Sequence, residues 1–446
     1  MGRRKKIDLI EIDEGIKSEE KIEDKEIYKI LEENYNTYSS YIASGRAACY
    51  KMDGLKTVYR RVLYSAFKNC RTSNIKSVSL DGRTLSSYHP HGSCYGTIVG
   101  LVEDGLLIGK GNFGSKMGSC IIPPAAPRYT EVRLNPISEV LFINPDLLPY
   151  VDWRLSDLGY DEPEYLPVLV PPIMTAINNT SPMDIGTGVH IKNQYPRFSV
   201  ESLLKYAINY IKTGKFDKSL LEFKFMNLVK KFPTNGSYDD TDYKFSETFT
   251  VKYEEDEKSG IYITSQLPNF NMFSNLEGIP FKDYSKYETR IYIPSKYWDI
   301  KKFTNKVNFV SMAYTGKEDN VTIHKYSIQT AMSTIINNFR KNIVPKYFEA
   351  EIKKLKSKIN ELEILLDIAE KVKVSKDLVK LYSTFNDEYL SIANKYSVSS
   401  MMKITQDDID KVKKELNALI KRSKNIDKFI LDLYENALNY ITKNKQ

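Results

Sequence analysis

From Glu26 to Ile42 the apolar residues recur at three- and four-residue spacing: Ile27, Ile30, Leu31, Tyr35 and Tyr38. That rhythm predicts an amphipathic helix with one apolar face. The face either joins the core or docks on a partner, and the pattern leaves both open. Residues 1–24 before it are charged and poor in apolar groups, which predicts a mobile arm. Residues 44–150 alternate short helical and turn-rich stretches. Helices are expected over Val58–Phe67 and Cys94–Val102, with glycine turns at Gly105 and from Gly109 to Gly114. Short helices followed by small strands suit a winged helix-turn-helix. Between 151 and 320, Pro163, Pro167, Pro171, Pro172 and Pro182 break any long helix. Phe249–Tyr253 and Ile261–Ser265 flank a charged turn and predict a hairpin.

From about residue 326 the period changes to heptads. Ile352, Leu355, Ile359, Leu362 and Leu366 form one series. Ile409, Val412, Leu416, Leu419, Ser423, Ile426, Ile430, Leu433, Ala437 and Tyr440 form another, interrupted only by Ser423. Two long helices packed as an antiparallel coiled coil are expected, with an apolar knob from Leu378 to Met402 at the tip. Thr405–Asp408 is a candidate cap, and Pro345 is expected to break or kink the preceding helix. The pattern is that of an α+β multidomain protein. Its expected divisions are 1–43, 44–165, 166–325 and 326–446.

Composition adds bounds. A chain of 446 residues, 41 % apolar and 27 % charged, can bury the cores of two to four domains. The net charge of +8 permits a polyanionic partner without demanding one. Cys49, Cys70, Cys94 and Cys120 form no C-x-x-C pair, and with His89, His91, His190 and His324 they show no zinc-ligand spacing. No metal site is expected on this chain. Asp240-Thr241-Asp242 lies in a polar loop and Asp408-Ile409-Asp410 at a helix start, so both read as solvated carboxylates. There is no glycine-rich phosphate loop. No apolar run follows Arg3-Arg4-Lys5-Lys6, and none approaches a membrane span, so a soluble intracellular protein without membrane contact is expected.

The candidate chemistry sits in one stretch. Of 32 tyrosines, only Tyr129 directly follows an arginine, in Pro127-Arg128-Tyr129-Thr130-Glu131-Val132-Arg133. Upstream lie Asp53-Gly54-Leu55-Lys56-Thr57-Val58-Tyr59-Arg60-Arg61, Tyr88-His89-Pro90-His91-Gly92 and Gly109-Lys110-Gly111-Asn112-Phe113-Gly114. In that order these motifs resemble the DNA breakage-reunion subunit of type IIA topoisomerases. That family includes gyrase A, topoisomerase IV A and the medium subunit of T-even phages, the last being nearest in size. The resemblance is strong over residues 40–190; beyond them only architecture and order agree.

The resemblance implies the following. Tyr129 is the nucleophile that forms a 5′-phosphotyrosine, and Arg128, His91 and Arg60 stabilise the transferring phosphate. Such a tyrosine suits reversible cutting, because the phosphotyrosine keeps the energy of the broken phosphodiester. The phosphate gains charge in the transition state and needs fixed cations around it. Arg46 binds a phosphate, and Lys56, Arg61, His89, Lys110 and Asn112 join it at the DNA. Ile185 is the wedge that unstacks a base step and bends the duplex. Residues 1–43 dock the partner, 44–165 form the winged-helix DNA gate, 166–325 an α/β tower, and 326–446 the coiled coil with a globular exit gate. The implied assembly is a homodimer within a heterotetramer, with Mg²⁺ and ATP both held by the partner ATPase/metal-domain subunit. The implied setting is the bacterial cytoplasm, including that of a phage-infected host.

Two departures from the family pattern stand out. The loop Gly92-Ser93-Cys94-Tyr95-Gly96 is about two residues shorter than the gyrase pattern, and Gly96 replaces an acidic residue. Weaker quinolone sensitivity than that of a bacterial gyrase is expected from that. Gly114 to Arg128 is also unlike gyrase. Only Ile441–Gln446 follow the second heptad series, so relaxation or decatenation without negative supercoiling is expected. The competing readings are a non-catalytic DNA-binding scaffold, and a rolling-circle nicking nuclease with His89 and His91 as metal ligands.

Overall fold

Three helices and a small sheet follow a first, separate helix at the start of the described chain. In the computed structural model, α1 (Ile27–Ile42) forms where the apolar rhythm predicts it, but Ile27, Leu31, Tyr35 and Tyr38 face solvent. β1 (Cys49–Tyr50) leads into α2 (Thr57–Asn69), β2 (Ile75–Lys76), α3 (Ser77–Ser87), α4 (Tyr95–Glu103), β3 (Leu107–Lys110) and β4 (Glu131–Leu134). The strands form an antiparallel sheet in the order β2-β4-β3, with Leu107 opposite Leu134 and Lys110 opposite Glu131. This is a winged helix-turn-helix with the wing between β3 and β4. Asp81 of α3 fixes the turn into α4, accepting from the Cys94 amide and from Ser93 Oγ, both at 2.6 Å. Ile98, Val99 and Leu101 then bury one face of α4. The structure describes residues 26–42, 46–114, 122–177, 183–188, 191–222, 242–247, 250–253, 260–265, 276, 278–284, 289–297, 305–310, 312–314, 323–375, 380, 381 and 383–444. The expected arm over 1–24 and the Asp240-Thr241 pair lie outside them.

Downstream, Asn135 caps α5 (Pro136–Phe142), and β5 (Trp153–Leu155) pairs antiparallel with β6 (Asp161–Pro163). β7 (Thr175–Ala176) precedes the antiparallel pair β8 (Met183–Gly188) and β9 (Ile191–Pro196). Next comes β10 (Phe198–Ser199), parallel to β7. Ser199 caps α6 (Val200–Thr213), and Gly214 ends it in the left-handed region at φ 72°. β11 (Asp242–Glu247) follows, then the expected hairpin, β12 (Thr250–Tyr253) against β13 (Gly260–Ser265). The hairpin belongs to a four-stranded antiparallel sheet completed by β14 (Lys282–Asp283) and β15 (Thr289–Pro294). Ile261, Ile263, Leu276, Ile291 and Ile293 give this sheet its own small core. β16 (Asn305–Val310) pairs with β11. β17 (Met312–Tyr314) pairs with both β1 and β18 (Ile323–Lys325), tying this region back to the start of the winged helix.

The helical end differs from the heptad expectation. α7 (Ile328–Asn338) passes through a wide π turn at Phe339–Ile343 into α8 (Val344–Val374). Pro345, in the first turn of α8, cannot donate the usual backbone bond, so the break falls where it was expected. α8 has 31 residues and is about 46 Å long. α9 (Asp387–Ala393) and α10 (Val398–Met401) form the tip, where Ile392, Ala393 and Met401 pack on Ile364, Leu365 and Ile368. The chain returns in α11 (Gln406–Ser423), opened by the capping box of Thr405 and Asp408. Ile409, Val412 and Leu416 meet Leu355, Ile359, Leu362 and Leu366. The second heptad series is not one helix. It stops at Ser423, and Asn425 caps a separate α12 (Ile426–Lys443) by accepting from the Lys428 amide at 3.0 Å.

α12 packs on α6 and leaves the arm to α8 and α11. Phe429, Ile430, Tyr434, Ala437 and Ile441 join one large core. That core also holds Val62, Leu80, Leu101 and Val132 of the winged helix, Tyr165, Phe198 and Leu203 beyond it, and Ile335 and Phe348 of α7 and α8. Tyr434 Oη closes the junction by donating to the Leu169 carbonyl at 2.6 Å. Among the described residues no helix is long and apolar enough to cross a membrane.

Candidate functional site

Tyr129 sits on the wing, at the end of a turn that leads straight into β4. It is 63 % exposed, the most exposed of the described large hydrophobic side chains on the winged helix from α2 to β4. Its surroundings are held firmly. The Ser77 amide donates to the Thr130 carbonyl at 2.9 Å, and the Val78 amide to that of Pro127 at 3.2 Å. Thr130 is buried and donates from Oγ1 to Ser77 Oγ at 2.8 Å. Tyr95 Oη donates to the Ala125 carbonyl at 2.5 Å. The first turn of α3 and the first residue of α4 therefore clamp the turn on both sides. Gly111 completes the clamp: at φ 107° a Cβ there would stand 3.2 Å from the Tyr129 carbonyl. The Arg128 guanidinium lies 4.7 Å from the Tyr129 ring centre, so the expected pair is in place and exposed. Lys110 and Asn112 are exposed on the same wing. Lys110 shares Glu131 with Lys76, at 3.7 and 2.8 Å. Asn112 Oδ1 accepts from the Gly114 amide at 2.8 Å.

A second cluster gathers where α3 ends. Arg61 reaches it from α2. Its Nε and Nη2 donate to the two oxygens of buried Glu162 at 2.8 and 2.9 Å. Its Nη1 donates to His89 Nδ1 and to Asp157 Oδ2, both at 3.1 Å. The His89 proton therefore sits on Nε2. Burial, then Arg61, then the nearby His91 and Arg46, push the His89 imidazole down to about 4, so it is neutral at pH 7. The His91 ring stands edge-on to that of His89 at 4.8 Å, and its Nε2 lies 3.5 Å from Asp157 Oδ2. Arg154 also binds Glu162, at 2.9 Å. Partial burial alone would raise the Asp157 carboxyl. Arg61 outweighs that, His91 and Arg154 add to it, and the group is held below the usual carboxylate range.

Two expected contacts are corrected. Arg60 was expected on the transferring phosphate. Instead it is buried, with Nε 2.6 Å and Nη2 2.9 Å from the two oxygens of Asp53. Asp53 also accepts from the Leu55 and Leu166 amides, both at 3.1 Å. Arg60 thus locks the bend before α2 to the Leu166 segment and presents no cation to a ligand. Lys56 was expected at the DNA. It is buried, with its ammonium 5.1 Å from the Tyr59 ring centre. Arg46 is exposed, and its charge is felt at His89. Ile185 lies on β8 opposite Gln194, and its side chain lies outside the described residues. Among the described residues, His, Cys, Asp and Glu do not gather in groups of three that could hold a metal ion. Asp53, Glu162 and Asp157 escaped sequence reasoning. Asp53, seven residues before Arg60, was findable; the other two meet Arg61 only across about 100 residues of chain.

The fold and these residues define a winged helix-turn-helix protein with an exposed arginine–tyrosine pair on the wing and an arginine–histidine cluster at the end of α3. The family model for the A-type chain of DNA gyrase/topoisomerase IV matches residues 46–444, and the chain belongs to that family. Among similar proteins, the DNA gyrase A protein of Ureaplasma parvum is 26 % identical over 95 % of this chain and 55 % of its own length. That of Haloquadratum walsbyi is 35 % identical over 40 % of this chain and 21 % of its own. That of Aminobacterium colombiense is 33 % identical over 46 % and 25 %. The chain thus spans between about a fifth and about half of the length of these relatives.

Proposed function

We propose that this chain is the DNA breakage-reunion subunit of a type IIA topoisomerase. The observation that carries this is the exposed Arg128–Tyr129 pair, clamped on the wing of a winged helix in a chain of this family. The Tyr129 oxygen attacks a backbone phosphorus, the bond from phosphorus to the 3′ oxygen breaks, and the leaving oxygen takes up a proton. The 5′ end stays on the enzyme as a phosphotyrosine. Resealing reverses each step without an energy source. Arg128 is suited to the charge that builds on the phosphate, and an arginine can grip two of its oxygens at once. Mg²⁺ and ATP are assigned to a partner subunit.

The tyrosine turn is fastened to the first turn of α3, whereas His89 and His91 follow its last. α3 has 11 residues, a rise of roughly 16 Å from end to end. In this proposal one protomer's Tyr129 meets the cluster of a second copy, and the working unit is a dimer. The α8–α11 arm with its apolar tip is the candidate second contact between copies. α1, whose apolar residues stand exposed among the described residues, is the candidate dock for the partner's metal-binding domain.

The test is to trap DNA on the chain under denaturing conditions with a partner ATPase present. A covalent adduct that maps to Tyr129 supports the proposal. Duplex binding without any adduct would favour the non-catalytic scaffold. Mixing Tyr129→Phe with His91→Ala tests the shared site: activity restored in the mixture supports it, and two inactive parents that stay inactive together contradict it.

A further inference from the structure

Asp157 is the exposed carboxylate of the arginine–histidine cluster, and the breakage step proposed above gives it no role. It lies on the loop that joins β5 to β6, and the loop does not depend on it. Ser156 does the fastening. Its Oγ donates to the Ser87 carbonyl at 2.7 Å and accepts from the amides of Leu158 and Tyr160 at 3.3 and 3.1 Å. Its amide donates to the Tyr160 carbonyl at 2.8 Å. Gly159 supplies the left-handed residue of the turn at φ 78°. Ser87 ends α3, two residues before His89, so the loop is pinned where the histidine turn begins. The Asp157 carboxylate is thereby delivered to Arg61 and His91.

Arg61 has five N–H protons, and their assignment is informative. Nε and Nη2 hold Glu162, whose side chain is 3 % exposed and which also binds Arg154. Nη1 is divided between His89 and Asp157. The Arg61 side chain is 6 % exposed, whereas that of Asp157 is 51 % exposed. Of the three acceptors, only Asp157 stands toward solvent on a surface loop. A carboxylate and a phosphate offer an arginine the same pair of oxygens. Two anions in that seat repel each other, so a phosphate cannot reach Arg61 while Asp157 holds it.

Resting on the function proposed above, we infer that Asp157 occupies the seat of a DNA phosphate between Arg61 and His91. The incoming backbone displaces it. Asp157 is then an internal competitor that sets how tightly duplex is gripped at this corner. Ser156 keeps the backbone still, so the exchange needs only a side-chain rotation into solvent.

The test uses the full chain carrying Tyr129→Phe, so that binding is read without cleavage, and a short fluorescent duplex. Asp157→Asn should tighten binding by about three- to tenfold at low salt. Asp157→Glu keeps the charge and should not tighten it. Asp161→Asn removes the same charge from the same hairpin away from the seat, and should change binding less than Asp157→Asn. Thermal melts confirm that each variant is folded. Unchanged or weaker binding by Asp157→Asn, or tightening no greater than that of Asp161→Asn, overturns the inference. If that happens while the unmodified chain still forms its Tyr129 adduct, only the seat is lost. If the unmodified chain neither binds duplex nor forms an adduct, the breakage function falls with it.

Discussion

Arg60 and Arg61 are neighbours on α2 and both are buried, yet each is held by a different carboxylate and has a different task. Arg60 is locked to Asp53 and belongs to the framework. Replacing it with Ala leaves Asp53 buried and unpaired, and should cost about 3–5 kcal/mol of stability in a denaturant titration. Arg128→Ala should instead leave the melting curve alone and slow cleavage by about 10²-fold or more. His89 gives a pH signature. Its folded form resists protonation down to about 4, against 6.5 for an ordinary histidine. Its contribution is fully present above 6.5 and is lost as the pH falls from 6.5 toward 4, because there the unfolded chain binds the proton and the folded one does not. His89→Asn keeps an acceptor for Arg61 and should flatten that part of the stability–pH curve relative to the parent. At this scale the Arg128–Tyr129 pair was legible because it is local in sequence. That Arg60 is structural was not, because a motif names a residue and says nothing of which carboxylate it meets.

Elements were most legible where one period ran without interruption. α1, α2, α4 and the β12–β13 hairpin lie where apolar spacing and turn residues put them. α3 was missed as a separate helix, because its serines, Gly82 and the polar Asp81 hide its buried face. The second heptad series misled for a physical reason. Its spacing continues through Ser423, but Lys424 and Asn425 end one helix and cap the next, and the later apolar face meets mainly α6, touching α8 only at its start, where Phe429 packs on Tyr347 and Phe348. Periodicity shows that a face is buried and not against what. Asn425→Ala should lower stability by about 0.5–2 kcal/mol by leaving the α12 amides uncapped, as read by thermal unfolding. The wing makes a sharper prediction. Gly111→Ala forces a Cβ toward the Tyr129 carbonyl at a strained φ, a cost of roughly 1–3 kcal/mol at that turn. Cleavage should fall severalfold while duplex binding changes little, because the nucleophile moves and the rest of the winged helix does not.

The whole molecule joins a winged helix, a sheet region with its own small core, and a helical arm. One large core takes in side chains from α2 through to α12, while that sheet and the arm keep separate clusters among the described residues. The α+β class was visible in the change of period along the chain. The way the last helix returns to the first core was not, because it depends on contacts across more than 200 residues, such as that of Tyr434 with Leu169. α1 leaves Ile27, Leu31, Tyr35 and Tyr38 exposed, which suits the partner dock proposed above. Removing residues 1–43 should leave the core's melting temperature nearly unchanged and abolish association with the partner subunit, measured by co-sedimentation. The central claim is that Tyr129 breaks DNA. Its most direct measurement is mass spectrometry of the denatured, protease-digested cleavage complex formed with duplex and partner. The account predicts a nucleotide attached through its 5′ phosphate to the peptide containing Tyr129, and none in Tyr129→Phe. A nucleotide on any other residue, or an undiminished adduct in Tyr129→Phe, would contradict it.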